Sequence, residues 1–436
     1  MDINRLLKWL DSSTCNFLAV DTILKELDNA GFIRLHPEDS WNLKKGDRRY
    51  ITKNDSAIFA FIVGEKSPAE AGFRIVSAHS DSPCFKIKPN AEIYGDGGVV
   101  SLNVEKYGGG ILYTWFDRPL SISGRVMTAG DDALHPVTRL VDLKRPVAFI
   151  PHLAIHFNRG VNEGNPLSVQ KDMKPVVGFY DEDTIKDQKA HGGIVKMLLA
   201  DHLGIRPEEI LEYELCLYPL EHAATAGASN EYFQSARIDD LSMAYAGLEA
   251  LLNTVDTSTD CTRIVAVFDN EETGSGTKQG AASPVLAEMM QRITSSFEGE
   301  TQESYFRAIA KSFMISADDA HAWHPNYNEK YDPTNHPVIG GGPVIKINAN
   351  CKYMTDAQGA AVFRQLCNDA GVKCQYFVNH SDVAGGSTLG NILTSQIPLN
   401  GVDMGCAIWA MHSARETAGV ADHFATVRVF STFFGA

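Results

Sequence analysis

No stretch of this 436-residue sequence has the ~18 consecutive apolar residues of a membrane-spanning helix, so no transmembrane span is expected. Cations are in deficit: 39 Lys and Arg against 54 Asp and Glu leave a formal net charge of −15. A chain of that sign is repelled by phosphate backbones and anionic headgroups, so neither nucleic acid nor a membrane surface is expected as a partner. Cysteines are few and scattered, at 15, 84, 216, 261, 351, 367, 374 and 406, with no CxxC pair. They read as reduced thiols of a cytoplasmic protein, and sulfur is a poor candidate for any metal site. Internal repeats and low-complexity tracts are missing, and the first ten residues carry Asp2, unlike a signal peptide.

What is present is an ordinary globular composition, 44% hydrophobic and 21% charged, long enough for two domains or one domain with an insertion. One stretch stands out. Ile264 to Phe268 is a short apolar run of the kind buried on both faces of a sheet, and it delivers Asp269-Asn270-Glu271-Glu272, then Thr273-Gly274-Ser275-Gly276. Adjacent glutamates after a core strand are costly to desolvate unless cations or protons compensate. A solvated acidic turn is the plain alternative.

The rest of the chain divides by texture. Residues 1–90 read as α/β, with a helix from Asn16 and strands at Ile58–Val63 and Phe73–Ala78; the second ends in His79-Ser80-Asp81. A carboxylate two residues past a strand-end histidine can fix its tautomer. Residues 91–233 alternate short strand-like pieces with glycine-rich turns and show helical periodicity only near Ile194–Leu203, which predicts an inserted β-rich domain. Residues 234–436 return to α/β: a helix over Leu241–Leu252 capped by Asp239 or Asp240, a strand before Asp318, a strand carrying Lys346, and a closing helix from Thr426. The strand-end polar residues are then His79, Asp81, Asp239, Glu271, Glu272, Asp318 and His412. Two imidazoles and several carboxylates, without thiolate, suit a pair of borderline cations such as Zn2+.

His79-Ser80-Asp81-Ser82-Pro83, Arg237-Ile238-Asp239-Asp240, Asp269 to Ser275, Ile315 to Ala322, His324-Pro325-Asn326-Tyr327, Gly342 to Asn348 and Met411 to Glu416 resemble, in order, segments of the aspartyl aminopeptidases, co-catalytic di-zinc exopeptidases. Pro151 to His156 matches within the insert. The resemblance implies a three-layer α/β/α metallopeptidase domain with an inserted β-rich dimerisation domain, in homo-oligomers that reach a dodecamer built from dimers. It implies two Zn2+ per subunit (Mn2+ or Co2+ fit similar ligands), one held by His79 and Asp318, the other by Glu272 and His412, with Asp239 bridging. Asp81 would orient His79, and Glu271 would be the general base on a metal-bridging water.

The same resemblance implies peptide substrates with an unblocked N-terminal residue, preferably Asp or Glu, contacted by Lys346, His321, Tyr353 and a His156 reaching in from a neighbouring subunit. Two of these have plainer alternatives, an edge-strand solubilising lysine for Lys346 and a buried histidine at an apolar strand end for His156; His324 reads either as a second contact or as a turn cap before Pro325. Ser80, Asp240 and Asp319 stand where the family usually has other residues. An aminopeptidase of neutral specificity on the same metal core, and a catalytically silent binding protein, are the rival functions.

Overall fold

In the computed structural model, which describes residues 2–297 and 299–436, the chain starts with helices α1 (Ile3–Ser12) and α2 (Asn16–Asn29). Strands β1 (Ile33–Arg34), β2 (Arg48–Lys53) and β3 (Ala57–Ile62), the single-turn α3 (Pro68–Ala71) and β4 (Phe73–His79) follow. It continues through β5 (Cys84–Tyr94), β6 (Val99–Tyr107), β7 (Leu120–Thr128), β8 (Val137–Asp142), α4 (Val169–Asp172), β9 (Val176–Phe179), α5 (Glu182–Ala190), α6 (Ile194–Leu203) and β10 (Glu212–Pro219). After β11 (Ala224–Ala226) and β12 (Tyr232–Ser235) come α7 (Ile238–Asn253), β13 (Thr262–Phe268), α8 (Val285–Ser295), α9 (Gln302–Lys311), β14 (Phe313–Ala317) and β15 (Ala320–His321). The last elements are β16 (Val344–Lys346), α10 (Ala357–Asp369), β17 (Gln375–Phe377), α11 (Leu389–Gln396), β18 (Asn400–Gly405), β19 (Ala407–Trp409), β20 (Glu416–Gly419) and α12 (Val420–Gly435).

Two units emerge: one from the first helices to Asp81 plus Ala223–Met411 and Glu416–Ala436, the other Ser82–His222 plus His412–Arg415. The first is built on a nine-stranded sheet ordered β1-β2-β3-β13-β4-β14-β18-β16-β17. Alternation along its strands makes the layers. Ile58, Ala60 and Ile62 face a core shared with α1, α2, α7 and α12, while Phe59, Phe61 and Val63 face one shared with α8, α9 and α11. Apolar residues on both faces of one strand explain the unbroken run Ile264–Phe268 of β13, a strand whose seven residues are all buried. The fold is therefore mixed α/β with helices on both sheet faces. β4, β13, β14 and β18 run parallel, or pair in parallel with a neighbour, so their C-terminal ends open toward one edge of the sheet, where ligands bind in such folds.

The second unit has a six-stranded sheet, β8-β7-β10-β5-β6-β9, over its own apolar core. Its limits differ from the 91–233 read off texture. β5 starts before Pro89-Asn90, where the register shifts, and its first residues already pair with β6 and β10. β11 and β12 are short and glycine-flanked like the insert, yet β12 pairs with β20 of the first unit. Helix α5 was also illegible: it buries only Gln188, so it has no apolar period, and its signal is the cap from Asp181 to Thr184 N–H. Within α7, Asp239 and Asp240 have non-helical dihedrals, so regular helix begins at Leu241, as expected; Arg237 precedes them with φ 62°, and one Asp240 carboxylate oxygen accepts the His79 main-chain N–H. Among the described residues, no helix is long and apolar enough to cross a membrane.

Candidate metal centre

β4 ends at His79, directly opposite Phe268, the last residue of β13. The His79 ring is 1% exposed, its Nδ1 lies 3.0 Å from the main-chain carbonyl of Asp81 and 3.4 Å from the Asp81 carboxylate, and its Nε2 lies 3.7 Å from Asp239 Oδ1. A carbonyl can only accept, so Nδ1 carries a proton there, which makes Nε2 the nitrogen able to give its lone pair to a cation. Burial opposes charge on this imidazole, but Asp240, Asp81 and Glu271 outweigh it and hold His79 well above its usual pKa in the polypeptide alone.

After β13 the Asp269-Asn270 corner is fixed by its own polar side chains. Asn16 donates to Asp269 at 3.0 Å, while Asn270 Oδ1 accepts from Thr277 at 2.8 Å and Gln279 at 2.9 Å. Asn270 sits at φ 63° and Gly274 at φ 95°, so the single helical turn between them is closed by left-handed residues at both ends. That turn carries Glu271 and Glu272. Asp81 holds it, accepting Glu271 N–H at one carboxylate oxygen and Glu272 N–H at the other, both at 3.1 Å. Burial, with Asp318, Glu272 and Asp81 adding repulsion against the pull of His79, pushes Glu271 up to about 9 in the polypeptide alone; a cation beside it favours the carboxylate form.

The start of α7 supplies Asp239 and Asp240. Asp239 N–H donates to Glu416 at 3.1 Å, and Asp240 accepts the His79 N–H at 3.1 Å. His79, Asp239 and Asp240 offer ligand atoms within 4.8 Å of one another, and Asp239 and Glu272 offer a second such pair. The other oxygen of Asp240 is buried without a hydrogen-bond partner among the described residues. A buried carboxylate oxygen left so is expensive unless a cation serves it. Imidazole nitrogen plus clustered carboxylates therefore fits Zn2+ in donor type and in need of positive charge.

β14 delivers Asp318 and Asp319. Asp319 accepts Ser242 Oγ at 2.8 Å and Cys406 N–H at 3.1 Å, so it ties α7 to the β18 end, while Asp318 accepts the Lys346 ammonium at 2.9 Å. Lys346 is 3% exposed on β16, which lies between β18 and β17, so the edge-strand reading of this lysine is wrong. Burial disfavours its charge, but Asp318 overrides this and raises it. Tyr353 is buried with its ring 5.7 Å from that ammonium; His321 is exposed and packs edge-on against Phe377. His324 accepts Asn326 N–H at 3.2 Å, as a turn cap does.

His412 and His156 belong to the second unit. His412 follows Met411 with φ 69°, and its carbonyl accepts Ile111 N–H at 2.9 Å. His156 is exposed in a turn between Ile155 and Phe157, not buried at a strand end. Residues without an assigned role in the sequence reading include Glu416, 1% exposed, and Ser242. Glu416 lies inside the Met411–Glu416 segment, and that position was the signal available.

The family description Aminopeptidase I zinc metalloprotease (M18) matches residues 9–434. A probable M18 family aminopeptidase 2 from Clostridium novyi (strain NT) is 45% identical over 431 residues, 99% of this chain and 98% of the relative. The cryo-EM structure of the Ape4 and Nbr1 complex aligns with a TM-score of 0.95 and 33% identity, covering 99% of this chain and 85% of that one. The structure of the S. cerevisiae mApe1 dodecamer aligns with a TM-score of 0.87 and 26% identity, covering 99% and 95%.

Proposed function

Because the chain belongs to the M18 family of zinc metalloproteases, whose relatives are aminopeptidases, we propose that it removes unblocked N-terminal Asp or Glu residues from peptides with two metal ions per subunit. The observation that carries the reading is the pairing of His79 with Asp239 while Asp81 holds the Glu271-Glu272 turn. His79, Asp239, Glu272, Asp318 and His412 are the proposed ligands, with Asp239 shared; Asp240, within reach of His79, supplies negative charge beside them. Zn2+ in such a site supplies Lewis acidity toward a carbonyl and a lowered pKa for water.

The polypeptide does the rest. Glu271 takes a proton from the attacking water and returns it to the leaving amine, so its carboxylate must hang at a fixed height, and the Asp81 bond to its N–H provides that. Asp81 also keeps the His79 proton on Nδ1. Surplus carboxylates around the site attract the substrate's α-ammonium, whereas an acidic side chain needs cationic or hydroxyl partners: Lys346, His321, Tyr353, and His156 from a neighbouring copy in a homo-oligomer that is dodecameric in this reading. A cytoplasmic location fits cysteines that form no disulfide among the described residues.

The test is hydrolysis of Asp-, Glu-, Leu- and Ala-p-nitroanilide before and after chelation and zinc restoration. Zinc-dependent release strongest for Asp and Glu is expected. Zinc-dependent release favouring Leu or Ala would discard the acidic pocket alone.

A further inference from the structure

Lys346 ends β16 in a position where its ammonium cannot reach bulk water. Its Nζ lies 2.9 Å from Asp318 Oδ1, and the Tyr353 ring covers it at 5.7 Å. A desolvated ammonium is tolerable only against a carboxylate, and breaking such a pair leaves the other charge stranded. Asp318 is also fixed by its backbone, since its N–H donates to the Met404 carbonyl at 2.9 Å. Oδ1 is thus committed to a cation that does not exchange with solvent. With an ammonium drawing on Oδ1, the other oxygen is the stronger donor left to a cation.

We propose that Lys346 is a positioning residue: by occupying Asp318 Oδ1 it makes Asp318 a one-oxygen donor and so sets the coordination number of the metal that Asp318 holds. This rests on the di-zinc reading above. It differs from a role in reading the substrate, because it predicts consequences for metal ligation and for substrates of every side chain. A lysine that serves only the acidic side chain of the substrate has no such reach.

The experiment compares the full-length protein with Lys346→Met, after circular dichroism confirms the fold, with Co2+ in place of Zn2+. Visible Co2+ absorption is intense in tetrahedral sites and weak in octahedral ones. Freed from Lys346, Asp318 can chelate with both oxygens, so a weakened Co2+ band is expected, with kcat falling together for Leu and Asp substrates by about 10–100-fold, the usual cost of losing an outer-shell partner. An unchanged band and unchanged Leu turnover, with only Asp and Glu hydrolysis lost, would overturn the proposal. Should the variant not fold, a crystal structure of the unaltered protein with zinc decides: one Asp318 oxygen on the metal and the other on Lys346 supports it, and both oxygens on the metal sinks it. If the unaltered protein takes up neither Co2+ nor Zn2+, the di-zinc reading itself has failed.

Discussion

The Asp81 carboxylate receives the backbone N–H of Glu271 at 3.1 Å, so the residue proposed to move the proton hangs from the carboxylate two residues beyond His79. The same carboxylate also holds Glu272 N–H at 3.1 Å and stands 3.4 Å from His79 Nδ1. Asp81→Asn keeps the shape but turns an NH2 toward one of these donors. We expect the variant to fold, to lose about 10–100-fold in kcat, and to release zinc more readily. Steady-state kinetics with metal analysis checks this; kcat within twofold of the parent would mean that the His79 main-chain contact alone suffices.

Glu271→Gln is expected to lower kcat by roughly 10²–10⁴-fold with zinc retained, since an amide of the same size holds no proton-accepting charge. Metal content measured on the same sample separates two cases. Inactive protein that keeps its zinc supports proton transfer; inactive protein that has lost it makes Glu271 part of the metal shell.

Much of this centre was legible because strand ends and chemistry coincide. Ile264–Phe268 of β13 is an unbroken apolar run that stops at Phe268, and the polar residues after it lie at the end of a core strand. What the sequence hid was pairwise. Lys346 looks like a surface lysine until β17 is seen to cover β16 on the far side. Glu416 gains meaning only when β20 pairs with β12 and brings it to Asp239 N–H. His156 follows an apolar segment that reads as a buried strand end, yet Leu153, Ile155 and Phe157 are 56%, 47% and 81% exposed. Period and composition register how much apolar surface a segment has, not whether this chain or another copy covers it.

That exposed segment makes the assembly testable. Phe157→Asp, or Phe179→Asp at a residue 80% exposed on β9, should shift the particle to smaller species in light scattering. His156→Ala should leave the particle intact yet lower kcat/KM for Asp substrates about tenfold or more, the loss of one charged hydrogen bond to substrate. Unchanged kinetics in the His156 variant would remove that residue from the substrate site.

His423 predicts the acid limit of stability. It lies on α12, 1% exposed, with its ring 5.9 Å from that of Tyr245 and with neither nitrogen hydrogen-bonded among the described residues. Glu249 stands 3.9 Å from Nε2, but burial prevails and pushes the imidazole down from 6.5 to about 4. The unfolded chain therefore binds this proton near pH 6.5 and the native protein only near pH 4. Protons favour the unfolded state: the stabilisation is complete above about 6.5 and is lost as pH falls toward 4, roughly 2 kcal/mol by pH 5. Glu249, raised by burial, acts in the opposite sense but is common to parent and variant. His423→Phe keeps a flat ring that does not titrate. Urea unfolding at pH 7 and pH 5 should show the parent losing about 2 kcal/mol more than the variant between the two. Equal losses would mean that His423 is protonated in the native protein, with Glu249 as its counter-ion.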